Sequence, residues 1–152
     1  MFAADLVRTL TIDHTVNFLG TTSYRGHKST GQVLITQNLQ GTFHGRHVLI
    51  VEDIVDTGLT LGKIIELLYS HAPASVRTVT LLDKPRGRIA QVQLDYVGFE
   101  IGNQFVVGYG LDLDGMYRGL PYIAAMDDGL PANATFGRVE TQTYSVDLIR
   151  EE

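Results

Sequence analysis

Three carboxylates stand within five residues, at Glu52, Asp53 and Asp56, and Thr57, Gly58, Leu59 and Thr60 follow directly. The four residues ahead of them, Val48, Leu49, Ile50 and Val51, are all branched and apolar. Packing does not account for such a cluster, because burying unpaired charge is costly. Ligand chemistry does. Successive strand residues point to opposite faces, so Glu52 and Asp53 diverge, one facing a ligand and the other bracing it or holding a water. Carboxylate oxygens suit a hard cation such as Mg²⁺, which keeps several waters and binds through one or two carboxylates plus substrate oxygens. The turn that follows suits a phosphate. Ahead of a helix its N–H groups are unpaired and the helix dipole adds positive potential. Gly58 permits close backbone approach, and Thr57 and Thr60 add hydroxyls. The result is a phosphate cradle built mainly from backbone. It is no Walker loop, since no Gly-Lys-Ser/Thr is present. The competing reading is local: Thr60 as an N-cap, with Asp56 or Thr57 closing the turn.

These side chains need a frame. Residues 47–53 are continuously apolar up to the carboxylates, the pattern of a strand buried on both faces of a parallel sheet. Residues 59–72 read as a helix, with Leu61, Ile64, Ile65 and Leu68 at helical spacing and Pro73 ending it. Residues 76–84 return as a strand, so the unit is a right-handed parallel crossover. Further strands are expected at 95–101, 105–110 and 121–126. Ahead of this unit, residues 2–10 form a helix with Phe2, Leu6 and Leu10 on one face. Strands at 14–24 and 33–38 flank the polar, glycine-containing stretch 25–32, which reads as the flexible tip of a two-stranded arm. The expectation is an α/β domain over residues 1–126, followed by a polar tail at 127–152 of unassigned role.

At 152 residues the chain has the length of one ordinary domain, with a 44% hydrophobic and 19% charged composition. The net charge of −5 argues against a protein-wide basic surface for nucleic acid or anionic membrane. With no cysteine, disulfides and thiolate metal sites are excluded. No apolar run approaches the ~20 residues of a membrane span, and the N-terminus lacks a signal-peptide layout. A cytoplasmic protein is expected.

The string VLIVEDIVDTGLT at 48–60 resembles the phosphoribosyl diphosphate binding motif of type I phosphoribosyltransferases. LLDKP (81–85), DYVGFEI (95–101), FVVGYGLD (105–112) and YRGLPYI (117–123) are similar to the hypoxanthine(-guanine) branch, and FAADL and the Ser-Tyr pair at 23–24 also fit. The likeness runs over about residues 2–126, with the motifs in order. It implies the type I fold: a parallel core sheet flanked by helices, a small hood and a flexible antiparallel arm. The implied activity is purine salvage, with 5-phosphoribose passing from phosphoribosyl diphosphate to hypoxanthine or guanine to give IMP or GMP and pyrophosphate. By resemblance, Glu52 and Asp53 hold the ribose hydroxyls and their Mg²⁺, Asp56 is the general base, and Ile54 packs by the base. Residues Asp56, Thr57, Gly58, Leu59 and Thr60 bind the 5′-phosphate. Lys84 reads the purine 6-oxo group, Phe105 stacks on the base and Val106 meets its edge. Asp112 is a second magnesium ligand, Arg118 contacts pyrophosphate, and Ser23 and Tyr24 begin a closing lid. A homodimer or homotetramer is implied.

Each of these residues also has an ordinary reading: Lys84 as a solvated turn residue, Phe105 as core, Arg118 as a surface ion pair. Two departures from the family pattern stand out. Gln104 occupies a position where the family often has lysine. The Leu-Lys-Gly-type pyrophosphate loop that precedes the FAADL-like helix lies outside this sequence, as do its strand and part of the hood, so an N-terminally truncated member is expected. The alternatives on the same fold are a catalytically weak or inactive truncated form and a phosphoribosyl diphosphate or nucleotide sensor. A sensor calls for a basic surface or an appended nucleic-acid-binding element, and this acidic chain has neither.

Overall fold

A computed structural model describes residues 1–23, 33–37, 39, 41–126 and 137–138. The chain divides into two units, Met1–Asn103 and Gln104–Glu152. Tyr24, the arm tip at 25–32 and, apart from Gly137–Arg138, the tail at 127–152 lie outside the described residues.

The first unit contains the expected crossover. Strand β3 (His47–Val55) leads into helix α2 (Leu59–Tyr69) and then into strand β4 (Ser75–Asp83), which pairs with β3 in parallel. Strand β5 (Tyr96–Glu100) adds in parallel on the far side, giving the order β3-β4-β5. Helix α2 turns Leu61, Ile64 and Leu68 toward the sheet, where they join Phe43, Ile50 and Val55 in one apolar core. Each such side chain contributes about 1.5–3 kcal/mol on burial. That core sits directly behind the C-terminal end of β3 and holds the strand's last residues in place.

Ahead of this unit, helix α1 (Phe2–Thr9) contacts β3 but buries none of its own residues. Strands β1 (Gly20–Ser23) and β2 (Val33–Gln37) pair antiparallel, with Ser23 opposite Val33, which forms the base of the expected arm.

Two expectations about these strands need correction. β3 is not buried on both faces. Ile50 and Val55 are buried, yet His47 and Asp53 are exposed and Leu49 keeps 40% of its surface. The α2 core takes up Ile50 and Val55 and leaves Leu49 and Asp53 open, so continuous hydrophobicity overstated the cover. Residues 14–19 form no strand, and β1 starts at Gly20. Val16 and Phe18 are exposed there, and β-branched or aromatic residues favour a strand only where a partner strand receives them.

The second unit is built on an antiparallel sheet of β6 (Phe105–Val107), β7 (Ala124–Met126) and β8 (Gly137–Arg138). Val106, Val107, Leu111 and Ala124 are buried. Between β6 and β7 the chain folds back on itself through the bridges Gly108–Leu111 and Leu113–Met116.

Candidate active site

Glu52 and Asp53 occupy the C-terminal half of β3, and the alternation of the strand separates them. Glu52 lines a cavity of about 140 Å³ together with Ile54, Val55, Asp56, Thr57, Gly58, Thr60 and Leu61. Asp53 is exposed, and one of its carboxylate oxygens accepts the Ile54 N–H at 2.8 Å. The two carboxylates therefore diverge, Glu52 lining the cavity while Asp53 bonds its own strand end rather than bracing a neighbour.

Burial pushes the Glu52 carboxyl up to about 7, and the adjacent Asp53 charge acts in the same direction. The folded chain thus holds a proton that the unfolded chain releases from its ordinary value of 4.5 upward. The stability linked to this proton is fully present below that value and is lost as pH rises through about 7. Ligand-free protein is expected to melt at falling temperature between about pH 5 and 8. Glu52→Gln should flatten that decline and leave the variant more stable at about pH 8 by roughly 1–3 kcal/mol. A parent with a flat profile would contradict the assignment.

The turn after β3 is shaped by Gly58. It caps α2 at φ 78° with no side-chain cap, a left-handed conformation natural to glycine. A Cβ at this position would lie 2.9 Å from Arg88 Cδ and 3.0 Å from the Ala90 carbonyl oxygen. The local reading of Thr60 as N-cap is therefore replaced: Gly58 is the cap, and Thr60 stands inside the helix with its residue lining the cavity. Gly58→Ala should cost roughly 1–2 kcal/mol from φ alone and more from crowding, measured as a lower denaturant midpoint at unchanged slope. An unchanged midpoint would show that the turn is not held as described.

Asp56 is exposed, and its carboxylate has no hydrogen-bond partner among the described residues. One of its oxygens lies against Gly87, where a Cβ would stand only 1.9 Å away. Lys84 follows β4 and its N–H donates to the Val55 carbonyl at 2.9 Å, which brings it to the same end of the sheet. The residue is buried, with 8% of its surface left, and its ammonium, without a partner among the described residues, keeps part of that surface. A solvated turn residue is ruled out. The ammonium is therefore available to a ligand oxygen at this end of the sheet.

The remaining predicted residues belong to the second unit. Phe105 keeps 44% of its surface while Val106 beside it is buried, so the ring is not core. Arg118 pairs with Asp112 at 2.7 Å and donates to the Gly110 carbonyl at 2.7 Å. Asp112 also accepts the Gly115 N–H at 2.7 Å. The two residues assigned to metal and pyrophosphate thus meet each other, at the open surface. Ser23 ends β1 at the base of the arm.

Sequence reasoning missed a segment that braces the turn. Arg88 donates to the Asp56 carbonyl at 3.0 Å and the Val55 carbonyl at 3.3 Å, and it pairs with Asp83. Ile89 and Ala90 donate to the Thr57 carbonyl at 2.9 and 3.0 Å. The contacts to Val55, Asp56 and Thr57 span some thirty positions of chain, so no local spacing signals them.

For a divalent cation, the donor chemistry fits a shared rather than a private site. Among the described residues no three acidic or histidine side chains gather into a protein cage. A magnesium ion shared with substrate takes only one or two protein carboxylates, its other positions being filled by substrate oxygens and water, and Glu52 and Asp53 are the residues that would supply them.

Comparison with known proteins agrees with this geometry. The phosphoribosyl transferase domain family matches residues 1–114. Hypoxanthine phosphoribosyltransferase of Buchnera aphidicola is 47% identical over 124 residues, covering 81% of this chain and 70% of that protein. Hypoxanthine-guanine phosphoribosyltransferase of Bacillus subtilis is 44% identical over 126 residues, covering 82% and 70%. The crystal structure of a hypoxanthine phosphoribosyltransferase from Staphylococcus aureus superposes with a TM-score of 0.78 at 44% identity, covering 83% of this chain and 69% of that one. With its strand-end carboxylates, glycine-capped turn and parallel core on the type I fold, the chain belongs to the phosphoribosyltransferase family, in its hypoxanthine(-guanine) branch.

Proposed function

We propose that this chain is a purine-salvage enzyme that transfers 5-phosphoribose from phosphoribosyl diphosphate to hypoxanthine, and to guanine, in the cytoplasm as a homodimer or homotetramer. The observation that carries the reading is the meeting of Glu52, Asp56, Thr57, Gly58 and Thr60 on one cavity at the end of β3. A carboxylate for ribose hydroxyls, a base and a phosphate turn are there within reach of one sugar phosphate.

In this reading a bond forms between a purine nitrogen and the ribose anomeric carbon while the bond from that carbon to the diphosphate oxygen breaks. The purine loses a proton, which Asp56 accepts, and pyrophosphate leaves. Residues 56–60 hold the 5′-phosphate through backbone amides and hydroxyls. Glu52 and Asp53 orient the ribose hydroxyls, and negative charge beside the sugar favours the cationic character that the anomeric carbon gains. Lys84 donates to the 6-oxo oxygen, Ile54 and Phe105 flank the base, and Val106 offers its backbone to the base edge. Arg118 takes pyrophosphate in place of its present partner, Asp112. Bound Mg²⁺, held by Glu52, Asp53 and Asp112, would neutralise charge on the diphosphate and ribose oxygens. Ser23 and Tyr24 begin the lid that keeps water from the activated sugar.

Incubation of the 152-residue chain with hypoxanthine, phosphoribosyl diphosphate and Mg²⁺ should yield IMP and pyrophosphate in equal amounts. A chelator should abolish the reaction and added Mg²⁺ restore it. Binding of phosphoribosyl diphosphate with no nucleotide formed would replace this reading with a sensor or a catalytically inactive form.

A further inference from the structure

We propose that Arg88 is a positioning residue for the phosphate turn, aiming its amides from behind, with Asp83 as its anchor. The proposal rests on the reading of residues 56–60 as the 5′-phosphate site.

Three consecutive carbonyls of the turn are tied to one segment. The Val55 carbonyl accepts the Lys84 N–H and an Arg88 guanidinium N–H at 2.9 and 3.3 Å. The Asp56 carbonyl accepts Arg88 Nε–H at 3.0 Å. The Thr57 carbonyl accepts the Ile89 and Ala90 N–H groups at 2.9 and 3.0 Å. The peptides are all trans, and in a planar trans peptide the C=O and the following N–H point in opposite directions. Holding these carbonyls on the 84–90 segment therefore turns the N–H groups of Asp56, Thr57 and Gly58 away from it. Among the described residues those three amides have no acceptor. Three adjacent donors aimed one way form an anion-binding concavity.

Arg88 is suited to this task. Its side chain is only 18% exposed and that of its partner Asp83 only 16%. The planar fork of the guanidinium reaches two carbonyls and a carboxylate at once, which a lysine ammonium on a flexible stem does not reproduce. Its Cδ also packs where a Gly58 Cβ would stand, so the same side chain that orients the amides requires glycine at the bend. Arg88 touches neither substrate nor metal in this account. Its effect is on how well the turn is organised before phosphate arrives, and preorganisation of that kind appears in affinity.

The test measures KM for phosphoribosyl diphosphate and for hypoxanthine separately in Arg88→Gln, Arg88→Lys and Thr57→Val, with thermal melts of each. Arg88→Gln should raise KM for phosphoribosyl diphosphate by about tenfold or more and leave that for hypoxanthine within about twofold. Arg88→Lys should recover only part of the loss. If Arg88→Gln folds and its phosphoribosyl diphosphate KM stays near the parent value, or both KM values rise together, the proposal is overturned. If Arg88→Gln does not fold, Asp83→Asn takes its place, with an expected rise of about three- to fivefold in the same KM and no rise as the refuting result. Thr57→Val separates the two layers. If it raises the KM while Arg88 variants do not, the cradle stands and the positioning role falls. If none of the three variants raises it, the phosphate assignment falls with it.

Discussion

Asp56→Asn lowers kcat by roughly 10²–10⁴-fold, the usual range for loss of a general base, while the melting temperature stays close to the parent's. The two halves of this expectation come from one observation. The Asp56 carboxylate lies on the exposed side of the turn, lines the cavity and has no hydrogen bond among the described residues. It therefore contributes little to the fold and is available to accept a proton. Asparagine keeps the volume and removes the proton acceptor. The effect should fall on kcat more than on KM for phosphoribosyl diphosphate, because backbone amides and threonine hydroxyls still hold the 5′-phosphate. A kcat within a few fold of the parent, in a folded variant, would remove Asp56 from the base role.

The second large effect belongs to Lys84, where activity should fall with little change in stability. Its stem is buried, while its ammonium has no partner among the described residues and keeps some surface, so the charge contributes little to the ligand-free fold. Lys84→Met keeps the stem, removes the charge and should leave the melting temperature close to the parent's. In the proposed site the same change would delete a charge-assisted hydrogen bond to the 6-oxo oxygen, a contact of about 1.5–3 kcal/mol. The value of kcat/KM for hypoxanthine should fall roughly ten- to hundredfold. A variant that loses stability and keeps hypoxanthine turnover would show that the lysine is structural.

Much of the frame was legible because its signals are local. The helical spacing of Leu61, Ile64 and Leu68 and the stop at Pro73 placed α2 to within three residues. The carboxylates after a run of branched residues marked the sheet end, and Gly58 marked the bend. What escaped depends on residues distant in sequence. The apolar run at 47–53 read as doubly buried, but burial depends on what covers each face, and one face of β3 is left partly open. Val16 and Phe18 carry strand propensity without a partner strand to satisfy it. Nothing local in the sequence singles out Arg88, and only the fold brings it to the turn at Val55 and Asp56. Lys84, Phe105 and Arg118 each had an ordinary reading. The structure removes it for the first two, by burying the lysine and exposing the ring, and for Arg118 it supplies the ion pair with Asp112.

The central claim is that the end of β3 and the turn after it receive the phosphoribosyl group. Backbone amide resonances followed while IMP and Mg²⁺ are added to the chain test this directly. The largest shifts should fall on Asp56, Thr57, Gly58, Leu59 and Thr60, and inosine, lacking the phosphate, should leave those amides nearly unmoved. Saturable IMP binding with the 56–60 amides unperturbed, or equal shifts with inosine, would contradict it.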